Sequence, residues 1–317
     1  MAGEAALQAR ELRKSYGPVV AVESLDLEVA AGTVLGFLGP NGAGKTTAIR
    51  MLTTILAPDS GAFTVAGIPH TRPADIRRRV GVLPESAGYP AGQSGEEWLC
   101  YHAELFGRTR ADARSTARRL LADVGLADRG HALISSYSRG MRQRLGIARA
   151  LVNDPDVVFL DEPTLGLDPS GQVQVLDQIS RIARHRGATV LLSTHVLADV
   201  EQICDRVVIL NRGKIVAQGT VAEVVRQAAA PRHGQLKIPP ELLDRALAAL
   251  ASTDVLAKVN GGGRRGELEL SIPSDLELEV VVTQAIGSLL EAGVPVLGFA
   301  LEGGRLSDAF LAVTEDV

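Results

Sequence analysis

Apolar runs alternate with amphipathic stretches along the first two thirds of the chain, a pattern typical of an α/β domain. Three runs are apolar almost throughout and predict buried strands: residues 33–38, 157–160 and 189–193. Residues 7–15 and 19–29 alternate more regularly and predict a pair of half-buried strands. Residues 94–107 and 111–124 have helical spacing.

Residues 235–317 follow a different pattern and predict a small α+β unit of their own. Strands are predicted at 235–238, 255–259, 267–272 and 294–301, and helices at 240–250 and 276–290. The order β-α-β-β-α-β predicts a ferredoxin-like sandwich. Residues 231–234 read as a linker, so we place one domain at 1–230 and the other at 235–317.

The loop after the first buried strand has the composition of a phosphate-binding site. It consists of Gly39, Pro40, Asn41, Gly42, Ala43, Gly44, Lys45 and Thr46, followed by a helix predicted at 47–56. The loop fits G-x-x-x-x-G-K-[ST] between a strand and a helix, which is the context that a P-loop needs. Backbone N–H groups and the helix N-terminus would face phosphate oxygens. Lys45 can reach the β- and γ-phosphates, and the Thr46 hydroxyl can bind Mg²⁺.

Charged residues follow the other two buried strands. Asp161 and Glu162 end the strand at 157–160, where an acid beside a P-loop holds Mg²⁺ and a second acid can deprotonate water. His195 follows the strand at 189–193. A histidine there is usually structural, but it would reach the γ-phosphate if the two strands were neighbours. The alternative for the two acids is a pair that caps a strand in solvent.

Two further segments have the features of helix caps. Ser138 precedes an amphipathic helix, and its cap together with Gly140 could form a second anion site. An ordinary helix cap is the alternative. Asp168 lies in a tight loop before another helix.

Tyr16, in a predicted turn at 16–18, could stack on adenine or pack on a neighbouring strand.

Composition narrows the classes of partner. The net charge of −4 gives no global basic field for nucleic acid, and the two cysteines have no metal-ligand spacing. A disulfide framework is not expected, which suits a reducing cytosol. The N-terminal residues lack the features of a secretory signal, and no apolar run approaches the roughly 20 residues needed to span a bilayer. Any link to a membrane is therefore expected to come through a partner.

Six motifs in fixed order carry a resemblance to a known family. They are the P-loop, Pro84-Glu85, Tyr137 to Met141, Leu160 to Pro163, Gly166 to Pro169 and Ser193 to His195. Over about residues 5–225 the chain resembles the ATP-binding subunit of ABC transporters. That family usually has glutamine where Glu85 and Met141 stand and glycine where Arg139 stands. These variants are similar to those of bacterial exporters related to the daunorubicin-type drug pumps.

The resemblance implies an ATPase with a helical subdomain at about 86–155. Two copies would meet head to tail, each ATP lying between Gly39–Thr47 of one subunit and Ser138 with Gly140 of the other. By the same resemblance Tyr16 corresponds to the residue that stacks on adenine and Asp168 to the D-loop aspartate. The implied catalytic residues are Glu162, His195 and Lys45. The implied Mg²⁺ ligands are Thr46, Glu85 and Asp161, and Thr47 completes the phosphate-binding set.

The resulting hypothesis is the ATP-hydrolysing subunit of an exporter, peripheral on the cytoplasmic face of the membrane. A separate membrane-spanning partner would carry the cargo, with a hydrophobic drug or antibiotic as the first candidate and lipids, polysaccharides, peptides and ions left open. The alternative is an ABC-type ATPase that acts on nucleic acid or ribosomes. Such a protein would favour paired ATPase domains, a coiled coil or a basic arm. The chain has one predicted ATPase domain and a negative net charge, so no nucleic-acid partner is expected.

Overall fold

A computed structural model of the chain describes residues 5–227, 232–251, 258–261, 266–272, 278–302 and 306–315. The chain divides into two compact units, Met1–Thr220 and Val221–Val317. No helix within the described ranges is both long enough and apolar enough to cross a bilayer.

The first unit is an α/β domain. Its strands are β1 (Ala5–Tyr16), β2 (Val19–Ala30), β3 (Val34–Leu38), β4 (Ser60–Val65), β5 (Ile68–Pro69), β6 (Val80–Leu83), β7 (Val157–Asp161), β8 (Thr189–Ser193), β9 (Arg206–Asn211) and β10 (Lys214–Gly219). Its α-helices are α1 (Lys45–Leu52), α2 (Pro73–Arg79), α3 (Gly95–Leu105), α4 (Arg110–Asp123), α5 (Arg139–Ala150), α6 (Pro169–Arg186) and α7 (Leu197–Ile203).

One sheet organises this unit, in the order β5-β4-β1-β2-β10-β9-β3-β8-β7-β6. The strands from β9 to β6 are parallel, whereas β1, β2, β4 and β5 pair antiparallel. Because parallel strands end at the same edge, the loops after β3, β8, β7 and β6 are neighbours.

The parallel strands are apolar on both faces because each face packs against its own cluster. Phe159 and Leu191 lie in the cluster that contains the apolar residues of α1. Leu160 and Leu192, one position further along, lie in the cluster that contains residues of α3 to α6. This alternation is the period of a strand, and full burial of each such side chain stabilises the fold by about 1.5–3 kcal/mol.

Helix α1 is displaced toward the N-terminus relative to the prediction at 47–56. It begins at Lys45 and ends at Leu52. The Thr53 hydroxyl donates to the Ile49 carbonyl oxygen at 2.7 Å, and Thr54 has a φ of 60°. A left-handed residue cannot continue a right-handed helix, so the chain leaves the helix there.

The helices α3, α4 and α5 lie within the range predicted for a helical subdomain. Ser94 and Glu97 form a reciprocal capping box at the start of α3, and Thr109 caps α4. Their buried residues include Trp98, Leu120 and Leu145, which pack in one cluster.

The second unit has the topology of a split β-α-β sandwich. It contains α8 (Val221–Gln227), β11 (Arg232–Lys237), α9 (Leu243–Ala251), β12 (Lys258–Gly261), β13 (Glu267–Ile272), α10 (Leu278–Glu291), β14 (Gly298–Glu302) and α11 (Leu306–Glu315). The sheet order is β12-β13-β11-β14, and every neighbouring pair is antiparallel. This confirms the predicted ferredoxin-like order.

The linker prediction at 231–234 is wrong for residues 232–234. Strand β11 already pairs with β13 at Arg232, opposite Ile272. Polar residues at the start of this strand gave no sign of the pairing. Residue 231 of the predicted linker, residues 255–257 of a predicted strand and residues 276–277 of a predicted helix lie outside the described ranges.

Candidate functional site

The candidate site lies where four parallel strands end side by side. Strand β7 pairs with β8 so that Asp161 lies opposite Ser193, and β8 pairs with β3. The strand before His195 therefore neighbours the strand of Asp161, which is the condition under which the histidine would reach the γ-phosphate. Strand β6, which precedes Glu85, pairs with the other edge of β7. The P-loop, the histidine and the three carboxylates therefore meet at one edge of the sheet.

The P-loop forms an open cradle at the start of α1. Gly44 is the N-cap residue, with a φ of 103° and no side chain to bond the first turn. A Cβ at this position would collide with the Ala21 carbonyl oxygen, so the turn requires glycine. Backbone N–H groups at an uncapped helix N-terminus are donors for an anion.

Lys45 is held inside this loop. The residue is only 7% exposed, and its Nζ donates to the carbonyl oxygens of Gly39 at 2.6 Å and Pro40 at 3.2 Å. Burial lowers the pKa of Lys45, and the nearby carboxylates of Glu162, Asp161 and Glu85 oppose that change. An ammonium has three protons, so two bonds to carbonyls leave one donor for a phosphate oxygen.

Asp161 is buried, and its carboxylate is positioned by Ser193, for which the sequence predicted no separate role. The Ser193 hydroxyl donates to Asp161 Oδ1. Thr46 Oγ1 lies 3.5 Å from the same oxygen. Ser193 belongs to a predicted buried strand and to the motif from Ser193 to His195, and the signal that identifies its role is its position opposite Asp161 in the parallel pair.

The oxygen atoms of Thr46 and Asp161 fit a magnesium ion, which prefers oxygen ligands. Among the described residues, no cluster of three or more His, Cys, Asp or Glu side chains could hold a metal alone. Bound Mg²⁺ would therefore need additional ligands. Nucleotide phosphates commonly supply them.

Glu162 directly follows Asp161, and its backbone is in a strained, left-handed conformation. Its φ is 48°, and its N–H donates to the Ser193 carbonyl oxygen at 3.0 Å. His195 Nδ1 lies 2.9 Å from Glu162 Oε2. Burial raises the pKa of Glu162, and the charge and hydrogen bond of His195 oppose the rise. A carboxylate with a raised pKa beside an orienting imidazole can accept a proton from water.

A buried hydrogen bond supports the loop after Glu162. Thr164 Oγ1 donates to Asp199 Oδ2 at 2.5 Å, and both side chains are buried. Burial raises the pKa of Asp199, while the Thr164 bond opposes the rise. Neither residue was predicted to contribute, because they lie 35 positions apart and belong to no contiguous motif.

A cavity of about 540 Å³ contains most of the predicted phosphate and catalytic residues. The predicted residues that line it are Pro40, Asn41, Gly42, Ala43, Gly44, Lys45, Thr46, Thr47, Glu85, Glu162 and His195. The carbonyl oxygen of Gly39 accepts a hydrogen bond from Lys45.

Tyr16 does not line this cavity and is 47% exposed. It is the last residue of β1 and pairs with Val19, so the predicted turn begins one residue later.

Ser138, Gly140 and Asp168 line a second cavity, of about 340 Å³. Ser138 is the N-cap of α5, as predicted, and its hydroxyl accepts from the Met141 N–H at 3.2 Å. Asp168 caps α6 by accepting from the Gly171 N–H at 3.2 Å. One chain therefore presents the predicted binding residues in two separate groups.

Comparison with known sequences identifies relatives over nearly the whole chain. A family model described as ABC transporter matches residues 22–165. The daunorubicin resistance ATP-binding protein DrrA3 of Streptomyces coeruleorubidus is 38% identical over 96% of this chain and 94% of its own length. The linearmycin resistance ATP-binding protein LnrL of Bacillus subtilis (strain 168) is 31% identical over 97% of this chain and 98% of its own.

Solved structures match about 70% of the chain. A structure titled "Structure of ATP binding subunit of ABC transporter" is 31% identical, with a TM-score of 0.63, and covers 70% of this chain and 92% of its own. The ATP-binding cassette MJ0796 bound to ADP and Pi gives a TM-score of 0.62 over 68% of this chain and 98% of its own. At 21% identity, this second likeness concerns the fold.

Proposed function

Because this chain belongs to the ATP-binding subunits of ABC transporters, we propose that it drives a drug-resistance exporter through a separate membrane-spanning partner. Membership in the family makes the chain an ATPase whose hydrolysis is coupled to transport. The named relatives confer resistance to daunorubicin or linearmycin, which supports a hydrophobic drug or antibiotic as the cargo. In this proposal the chain is cytoplasmic and peripheral on the inner face of the membrane.

The observation that carries the proposed assembly is the separation of the binding residues into two cavities. The P-loop lines one cavity, and Ser138 with Gly140 lines another. Two copies related by a two-fold axis would bring each cavity of one chain against the other kind in its partner. Such a head-to-tail homodimer would hold two ATP molecules in composite sites. Tyr16 would stack on the adenine ring, and Asp168 would lie in the interface between the subunits.

The proposed chemistry follows from the contacts around the P-loop. Lys45 and the N–H groups at the start of α1 hold phosphate oxygens, and Glu162 accepts a proton from the attacking water. His195 orients Glu162 through their 2.9 Å contact. Thr46, Asp161 and Glu85 would hold Mg²⁺. The ion would neutralise charge on the phosphate oxygens.

Glu85 gives a direct test of the proposed metal ligands. We expect Glu85→Gln to retain ATP hydrolysis at saturating Mg²⁺, because Thr46 and Asp161 remain. The Mg²⁺ concentration for half-maximal rate should rise on the order of tenfold, because a carboxylate near the ion is lost. Steady-state hydrolysis across a Mg²⁺ titration measures both quantities, with Glu104→Gln on the exposed face of α3 as the control. Complete loss of hydrolysis at every Mg²⁺ concentration would contradict this assignment.

A gentle detergent pull-down of the tagged chain from its native cells tests the exporter function. We expect a polytopic membrane protein to co-purify, and mass spectrometry of that partner would narrow the cargo. A tagged cytosolic protein of similar size serves as the control for non-specific capture. Recovery with ribosomes or nucleic acid, and without a membrane partner, would overturn the proposal and leave the ATPase activity.

A further inference from the structure

The guanidinium of Arg139 lies against Gly166, in the loop that joins β7 to α6. It is the first residue of α5, directly after the N-cap Ser138. Its Nη1 and Nη2 each lie 2.6 Å from where a Cβ on Gly166 would stand, and Gly166 has a φ of 68°. Only glycine leaves room for the guanidinium there. The arginine therefore lies across the loop and lines the same cavity as Ser138 and Asp168.

The two cavities carry opposite excess charge. Lys45 is the cation of the P-loop cavity, and Glu85 and Glu162 line the same cavity. Asp161 is a third carboxylate near Lys45, and its charge favours the protonated form of the lysine. The triphosphate of a bound nucleotide would increase this negative excess beyond what one Mg²⁺ neutralises.

The cavity beside Ser138 has the complementary charge. Arg139 and Arg144 line it, with Asp168 as the acidic side chain among its lining residues. Arg144 Nη1 lies 3.4 Å from the carbonyl oxygens of both Val124 and Gly125. Arg139 instead lies over Gly166, at the loop that would face a partner.

We propose that Arg139 of one subunit balances the charge of Glu85 of the partner subunit across the composite ATP site. This inference rests on the head-to-tail dimer proposed above. When the two cavities join, Glu85, Glu162 and the nucleotide phosphates lose contact with water, which strengthens their repulsion from one another and from the buried Asp161. A guanidinium brought in by the second chain offsets that repulsion and favours the closed dimer. The charge of Arg139 is opposite to that of the Glu85 carboxylate, so removing either one changes the effect of removing the other, and the two residues are energetically coupled.

A double-mutant cycle on the full chain tests the coupling. We expect Arg139→Gln to lower kcat/KM for ATP by about tenfold in the unaltered background and by less than about twofold in the Glu85→Gln background. Arg139→Lys, which keeps the charge, should retain most of the rate. Added salt screens charge, so the loss caused by Arg139→Gln should shrink as ionic strength rises. An equal loss in both backgrounds, unchanged by salt, would show that Arg139 only braces the Gly166 loop and would overturn the proposal.

Arg110→Gln is the matched control. Arg110 is also the first residue of a helix after an extended hydroxyl N-cap, Thr109, but it lines a different cavity, with Glu104 and Arg114. The substitution should leave kcat/KM unchanged in both backgrounds. A similar loss in Arg110→Gln would mean that removing an arginine at a helix start, and not the charge of Arg139, lowers the rate.

Two experiments distinguish failure of the proposed dimer from failure of the proposed coupling between Arg139 and Glu85. Size-exclusion chromatography of the Glu162→Gln chain with ATP reports dimer formation independently of Arg139. If that chain stays monomeric with ATP, the proposed assembly fails. If it dimerises and the cycle shows no coupling, the assembly stands and the role of Arg139 fails.

Discussion

Glu162→Gln is expected to lower ATP hydrolysis by at least about 100-fold, the scale of losing a general base. Glutamine keeps the size of the side chain and its hydrogen-bonding capacity, but it cannot accept a proton from water. The 2.9 Å contact with His195 can persist with the amide, so the shape of the cavity should be preserved. The loss would therefore report chemistry and not unfolding. A steady-state assay of released phosphate measures the change.

Two further readouts separate this role from a structural one. Because Glu162→Gln binds ATP without hydrolysing it, the variant should accumulate as an ATP-bound dimer on size-exclusion chromatography. Burial raises the pKa of Glu162 above its ordinary value of 4.5. The base works when ionised, so the rate of the unaltered protein should fall as pH falls through that raised pKa. The residual rate of the variant should lack this acid limb. A fully active variant would remove Glu162 from the proposed mechanism.

Lys45→Ala is expected to weaken ATP binding by about 10- to 100-fold and to abolish detectable hydrolysis. A hydrogen bond to a charged group contributes about 1.5–3 kcal/mol, and Lys45 is the ammonium that lines the P-loop cavity. The cavity retains Glu85 and Glu162 after the substitution, so phosphate would meet uncompensated negative charge. Isothermal titration calorimetry with ATP and Mg²⁺ measures the affinity.

The control for this experiment is Lys214→Ala. Lys214 lies 3.1 Å from Glu23 on the surface, where an ion pair contributes little to stability. Thermal unfolding without nucleotide should establish that Lys45→Ala still folds, since Lys45 also bonds the carbonyl oxygens of Gly39 and Pro40. Unchanged ATP affinity in a folded Lys45→Ala chain would contradict the P-loop assignment.

Motifs that are contiguous in sequence predicted much of the candidate site, because their local conformation is determined by residues next to one another in the chain. The P-loop glycines and Lys45 lie together whatever the rest of the chain does. His195 required one more step, because its proximity to Glu162 depends on the pairing of β7 with β8. That pairing follows from two apolar runs that each end in polar residues, so it could be anticipated.

Residues that act through tertiary pairing could not be recognised in the same way. Ser193 reaches Asp161 only because the two strands run in register, and Thr164 meets Asp199 across an intervening helix and strand. The end of α1 was misjudged for a local reason. The left-handed Thr54 stops the helix before its predicted end at residue 56.

The second unit was predicted in its order but not in its boundaries. Alternation at residues 267–272 marked β13 correctly, because Leu268, Leu270 and Ile272 are buried and the residues between them are partly or fully exposed. The start of β11 contains Arg232, His233 and Gly234, which carry no such alternation. Pairing with β13 at all three residues, and with β14 from His233 onward, places them in the sheet despite their composition.

The division of one chain into two complementary cavities has a genetic consequence. If each ATP is shared, a chain defective at Lys45 and a chain defective at Ser138 carry lesions in different halves. In a mixed dimer of the two, one site collects both lesions and the other collects neither. Two alleles that are each inactive alone would then complement one another when expressed together. Conversely, an excess of a doubly defective chain would be dominant over the normal gene, because every mixed dimer lacks a complete site.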